Sequence, residues 1–231
     1  MMQCRSYQNL TIPSAGSIYP GASRDIGGLE KAGTLLGIGV LVALFCVAAA
    51  TLMFEINLTR LYSVAQFYHF AFMIISLAML GFGASGAWLA LFPHLGRRHP
   101  RRTLAWLACG YGLTSLGAYL VLNWLPFDSF SIAWDRRQAV ILVVQYIVLS
   151  LPFLCSGAAL GLLFSVDPHG VGRIYAVNLA GSALGCVLAL LAPAWVGGEG
   201  IVWLSMAIGG VAALGFVWPG RRTVMLFVMS E

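Results

Sequence analysis

Residues 54–86 read FEINLTRLYSVAQFYHFAFMIISLAMLGFGASG. An apolar run arrives at Glu55, a short polar stretch carries Arg60, and a second apolar run opens at Tyr68 and His69 before turning glycine-rich. Two apolar segments of helical length joined by a few polar residues describe a helical hairpin in a membrane. A carboxyl group, a guanidinium and an imidazole then meet at one of its surfaces. Glu55 reads as the end of the first span. A charge deep in hydrocarbon is costly, whereas one near the interface reaches water.

Composition extends this reading to the whole chain. Of 231 residues, 60% are hydrophobic and only 9% are charged, with a mean hydropathy of +0.87. Soluble domains carry about 25% charged residues, so this chain could not clothe a water-soluble surface. In lipid the backbone must satisfy its own hydrogen bonds, which leaves helices or a closed barrel. The apolar runs are continuous and rich in Leu, Ala and Gly, whereas barrel strands alternate over roughly 10 residues. The fold class expected is therefore all-α, a polytopic transmembrane bundle.

About six spans are expected, near residues 33–55, 67–92, 103–125, 138–166, 174–196 and 201–218, with Pro152 kinking the fourth. Residues 1–31 form a polar tail without the apolar core of a signal peptide. Residues 32–219 form the membrane domain, and 220–231 a short C-terminal tail. Six spans put both termini on one side. On that side lie Arg5, Arg24, Lys31, Arg97, Arg98, Arg101, Arg102, Arg173, Arg221 and Arg222; on the other lie Arg60, Arg136 and Arg137. The bias places both termini in the cytoplasm and Glu55, Arg60 and His69 at the outer surface.

The net charge of +5 is explained by those loops, so nucleic acid is not expected as a partner; the lipid bilayer is. The five cysteines form no CxxC or Cys/His cluster and read as small apolar residues. No metal site is expected. The sequence also contains no P-loop, HExxH or GxSxG motif.

Glu55 and Arg60 lie five positions apart, about 140° around a helix, and do not share a face. Asn57 and Arg60, three apart, do. Glu55 is expected to meet Arg60 or His69 across the hairpin as a structural clasp, with a proton or cation site as the alternative. Glycine spacing marks packing faces: Gly81, Gly83 and Gly86 in the second span, and Gly157 and Gly161 in the fourth. In the fifth, Asn178, Gly181, Ser182, Gly185 and Ala189 make a small, partly polar stripe. Small residues let helix backbones approach, and an intramembrane Asn adds an interhelical hydrogen bond of about 1 kcal/mol.

These stretches together resemble the membrane-embedded N-terminal half of bacterial spermidine synthase-like proteins. The likeness is carried by Glu55 and Arg60 with HFAFMIISLAMLGFGASG, by LPFLCSGAALGLLFS (151–165) and, most specifically, by VGRIYAVNLAGSALGC (171–186), which contains Tyr175. It covers about residues 33–218. Asn178 stands where that family is expected to carry Asp, so a role that needs the charge would be missing. The resemblance implies a bacterial plasma membrane. It also implies as partner a cytosolic aminopropyltransferase or methyltransferase-like domain, which would bind decarboxylated S-adenosylmethionine and a polyamine. The glycine-rich loop and acidic residues of such a domain are not in this sequence, so no cofactor and no catalytic residue is assigned to it. The function expected is a membrane module lacking that catalytic domain. The alternatives are a small stand-alone transporter or exporter of polyamine-like or other small solutes, with Glu55 and His69 as its cation or proton groups, and a purely structural membrane subunit.

Overall fold

The first apolar run does not stop at Glu55. In the computed structural model, helix α1 spans Ile38–Ala65, 28 residues, with Glu55, Asn57 and Arg60 inside it. The polar link expected there is helical because its polar groups are satisfied locally or by other helices. Thr59 donates to the Glu55 carbonyl at 2.9 Å, and Ser63 to the Arg60 carbonyl at 2.9 Å. Residues 37–65, 68–92, 99–125 and 135–217 are described. The expectations for both tails, for Arg97 and Arg98, and for the His69 side chain lie outside the described residues.

The other helices are α2 (Tyr68–Leu91), α3 (Pro100–Trp124), α4 (Arg136–Val166), α5 (Val171–Leu191) and α6 (Pro193–Val217). Among the described residues there is no strand. All six helices are long and apolar enough to cross a membrane. The protein is thus an all-α bundle with the six spans of a multi-pass membrane protein. α4 begins at a cap: the Asp135 carboxylate accepts from the Arg137 backbone N–H at 2.9 Å, which satisfies one orphan donor of the first turn. It then runs unbroken through Pro152.

The corner between α5 and α6 departs from expectation. The fifth span ends at Leu191 rather than near 196, and Ala192 alone joins it to Pro193, the first residue of α6. α6 is then broken at Gly197, whose φ of 69° and ψ of 177° lie in a region that only glycine enters without strain. Hydropathy does not show this corner, because PAWVGG stays apolar throughout.

α1 is the hub. It packs against α5, α6 and α2, and the pairs α6–α3, α3–α4 and α4–α2 close a ring around the bundle. α5 stands outside that ring and packs almost entirely on α1. One apolar core cluster surrounds Leu44, Leu104, Leu163 and Phe216, towards the end of the bundle where α1 begins. Another surrounds Phe54, Ile74, Leu77 and Phe153.

Glycine sets two of these contacts. A Cβ on Gly185 or Gly181 of α5 would collide with the carbonyl oxygen of Ala49 or Phe45 of α1. A Cβ on Gly81 of α2 would lie 2.6 Å from Phe153 Cβ and 2.7 Å from the Ser150 carbonyl of α4, and one on Gly157 would lie 2.7 Å from the Phe82 ring. Gly161 meets only the tip of Leu89. Gly83 and Gly86 correct the reading of their stretch as a packing face: no neighbouring atom lies within 4 Å of a Cβ there. They sit around the helix from Gly81, on the exposed side of α2.

Candidate functional site

Two polar regions meet along α1 around Glu55. The first is a set of ties. Arg60 donates from its guanidinium to the Ala189 carbonyl of α5 at 3.1 Å. The residue four positions after Ala189 is Pro193, which has no N–H, so that carbonyl has no partner in its own helix. Arg60 supplies the missing donor. One turn earlier, the buried Asn57 side chain donates to the Gly198 carbonyl at 3.0 Å, just beyond the break in α6. Asn57 and Arg60 do share a face, and that face holds the α5–α6 corner.

On another side of α1, the buried Tyr62 hydroxyl donates to Gln145 Oε1 of α4 at 3.2 Å. The Gln145 amide then donates to the Leu125 carbonyl at 2.8 Å. Leu125 caps the C-terminus of α3 and precedes Pro126, so here too a side chain satisfies a carbonyl stranded at a helix end. Sequence reasoning missed Tyr62 and Gln145. The available signal was Gln145 set inside the apolar run that follows Gln138, and a proline directly after a helix end.

The Glu55–Arg60 pair expected as one form of the clasp is not made: Arg60 and Asn57 tie α1 to the α5–α6 corner, and Tyr62 ties it to α4, while the expected Glu55–His69 pair lies outside the described residues. Glu55 takes no part in these ties. It has no charged partner among the described residues, and Arg60 points elsewhere because its acceptor lies on α5.

Glu55 instead belongs to the second region, a groove between α5 and the α2–α4 pair with α1 as its floor. The floor is Leu44, Val47, Ala48, Thr51, Leu52 and Glu55; the walls are Phe82 of α2, Ser156 and Leu160 of α4, and Asn178 and Ser182 of α5. From Leu44 to Glu55 is eleven residues, or about 16 Å of helix. The cavity volume is about 80 Å³. Spread over that length it is narrow, suited to a file of waters or a flexible chain rather than a ring system.

Its polar groups differ in what they can still do. Thr51 donates to the Val47 carbonyl at 2.8 Å and Ser156 to the Phe153 carbonyl at 3.2 Å. Their protons are engaged and their oxygens still accept. Glu55 lies at the end of the groove nearer the α1 C-terminus. Asn178, eight residues into α5, lies towards the opposite end, since α5 runs parallel to α1 with Gly181 beside Phe45 and Gly185 beside Ala49. The two residues line one groove at different depths.

The remaining site residues fall elsewhere. Tyr175 is exposed in the first turns of α5 and does not line the groove. Gly181 and Gly185 face α1. Among the described residues no group of three His, Cys, Asp or Glu could hold a metal ion. Compared with known proteins, the chain matches no family model, no curated protein and no solved structure.

Proposed function

We propose that this protein is an intramembrane binding module for a small, linear organic cation of the polyamine type, and that Glu55 receives one of its ammonium groups. The observation that carries this reading is a carboxyl group on a membrane-spanning helix, facing a groove and without a charged partner among the described residues. Such a residue is expensive in a bilayer, and in membrane proteins it usually marks a substrate or ion pathway. The groove's length and narrowness favour an extended alkyl chain. The acceptors of Thr51, Ser156, Ser182 and Asn178 would serve further amines along it.

The three stretches that resemble spermidine synthase-like membrane halves all contribute to this groove: Glu55 and Phe82, then Ser156 and Leu160, then Asn178 and Ser182. This convergence favours the membrane-module reading over a purely structural subunit. On that reading a cytosolic aminopropyltransferase or methyltransferase-like partner meets the inner end of the bundle, where α3 and α5 begin with Arg101, Arg102 and Arg173. The bilayer it occupies would be a bacterial plasma membrane.

Calorimetric titration of the protein in lipid nanodiscs with spermidine and putrescine tests the proposal. Saturable binding is expected, and Glu55→Gln should weaken it at least tenfold, because the amide keeps the shape and loses the charge. Asn178→Asp should tighten binding of the longer polyamine. Equal binding by wild type and Glu55→Gln would remove Glu55 from the site.

A further inference from the structure

The groove has a floor and two walls but no roof. Among the described residues, α5 packs on α1, barely meets α4 and makes no substantial contact with α2. The side opposite α1 therefore lies open between α5 and the α2–α4 pair, with Phe82 exposed on its rim. The floor, Leu44 to Glu55, occupies the middle of the 28-residue α1. In a bilayer that opening faces acyl chains, not water. About 430 Å³ of empty space lies in the groove and over its open side, enough for one alkyl chain.

The lining also limits how much charge a ligand can bring. Among the described residues Glu55 is the one charged group in the groove; Thr51, Ser156, Ser182 and Asn178 are neutral and the rest is apolar. One carboxylate matches one ammonium. A second ammonium along the groove would lie between neutral groups and hydrocarbon, where an unpaired charge is expensive. A second nitrogen held as an amide carries no such cost. Its N–H can donate to the oxygen of Thr51 or Ser156, whose own protons are already engaged, and Asn178 can both donate and accept. An alkyl chain beyond that amide keeps the open side of the groove apolar, as the surrounding lipid requires.

We propose that the occupant of the groove is a single-chain amphiphile, a primary amine joined through an amide to one alkyl chain, and that it enters sideways from the bilayer between α5 and the α2–α4 pair. The inference rests on Glu55 receiving an ammonium, and it narrows what carries that ammonium. The ligand is a diamine with one nitrogen acylated. Its charged end sits at Glu55, its amide lies among the hydroxyls, and its chain lies along the open side.

Photolabelling of the full chain in lipid nanodiscs tests the proposal, with N-dodecanoylputrescine carrying a diazirine in its acyl chain as the probe. Adducts on Phe82 and Leu160 should outnumber severalfold those on Leu113, which is exposed on α3 and does not border the groove. Untagged N-dodecanoylputrescine should suppress the groove adducts at concentrations where putrescine does not. N-butyldodecanamide, which has the chain and the amide but no ammonium, should not suppress them, and Glu55→Gln should lower them severalfold. Groove labelling no stronger than that of Leu113 overturns the proposal. Suppression by putrescine as effective as by its acylated form also overturns it: a water-soluble cation then takes the groove, Glu55 keeps its role, and only the entry from the bilayer falls. Groove labelling unchanged in Glu55→Gln removes the ammonium receiver and overturns both readings together.

Discussion

Arg60 and Glu55 sit five residues apart on α1 in opposite circumstances. Arg60 is largely exposed yet bonded to an acceptor that no other group can serve, the Ala189 carbonyl stranded by Pro193. Glu55 is more enclosed, faces a groove and has no charged partner among the described residues. The difference separates architecture from function along a single helix. Where a polar group is matched to a defect of the fold, its presence is explained by that defect. Where it is matched to nothing in the fold, something else must account for it.

The largest expected effect breaks the groove without touching its polar groups. Gly185→Leu drives a side chain into the Ala49 carbonyl, and backbone does not yield as a flexible side chain does. Overpacking of this kind typically destabilises by about 1–3 kcal/mol, and contact with backbone puts this case at the upper end. α5 has little to hold it besides α1, so the variant should both melt earlier in detergent and lose any groove ligand. If Gly185→Leu melts with the wild type, the close α1–α5 contact is not a determinant of the bundle.

A smaller effect isolates the tie. Arg60→Ala leaves the Ala189 carbonyl without a donor, and a hydrogen bond from a charged group contributes about 1.5–3 kcal/mol where buried, less at an exposed position such as this. The sharper measurement is a double-mutant cycle with Pro193→Ala, which restores the backbone N–H four residues after Ala189. In that background Arg60→Ala should cost less, by roughly 0.5–1 kcal/mol of coupling. Additive losses would show that Arg60 does not stand in for the N–H that proline lacks.

These comparisons also show what a sequence reveals in a membrane chain and what it conceals. The number and kind of helices follow from hydropathy and length, because in lipid the backbone has few other options. The end of α1 was hidden because Glu55 looked like a water boundary. A charge marks a boundary only when no protein surface receives it, and the receiving groove is built from α2, α4 and α5. The α5–α6 corner was hidden in an apolar run, although Pro193 alone already implies an unpaired Ala189 carbonyl. Glycine spacing indicated close approach but not which glycines take part: Gly81 faces Phe153, whereas Gly83 and Gly86 face outward. The pairing of Tyr62 with Gln145, 83 residues apart, and the placing of Glu55 and Asn178 along one groove are facts of packing. No local pattern contains them.

The smallest expected effect on stability is the most discriminating. Glu55→Gln removes a charge but no hydrogen bond or ion pair that the described residues make, and it keeps the side chain's volume. A substitution clear of packing and hydrogen bonding usually stays within about 0.5 kcal/mol of wild type, so the melting temperature should barely move. A marked loss of stability would mean that Glu55 is held after all, with His69 across the hairpin as the partner to examine, and the contrast with Arg60 would dissolve. An unchanged melting temperature in a variant that no longer binds a polyamine would divide the two residues cleanly. Arg60 would then be retained for the corner it supports, and Glu55 for the cation it receives.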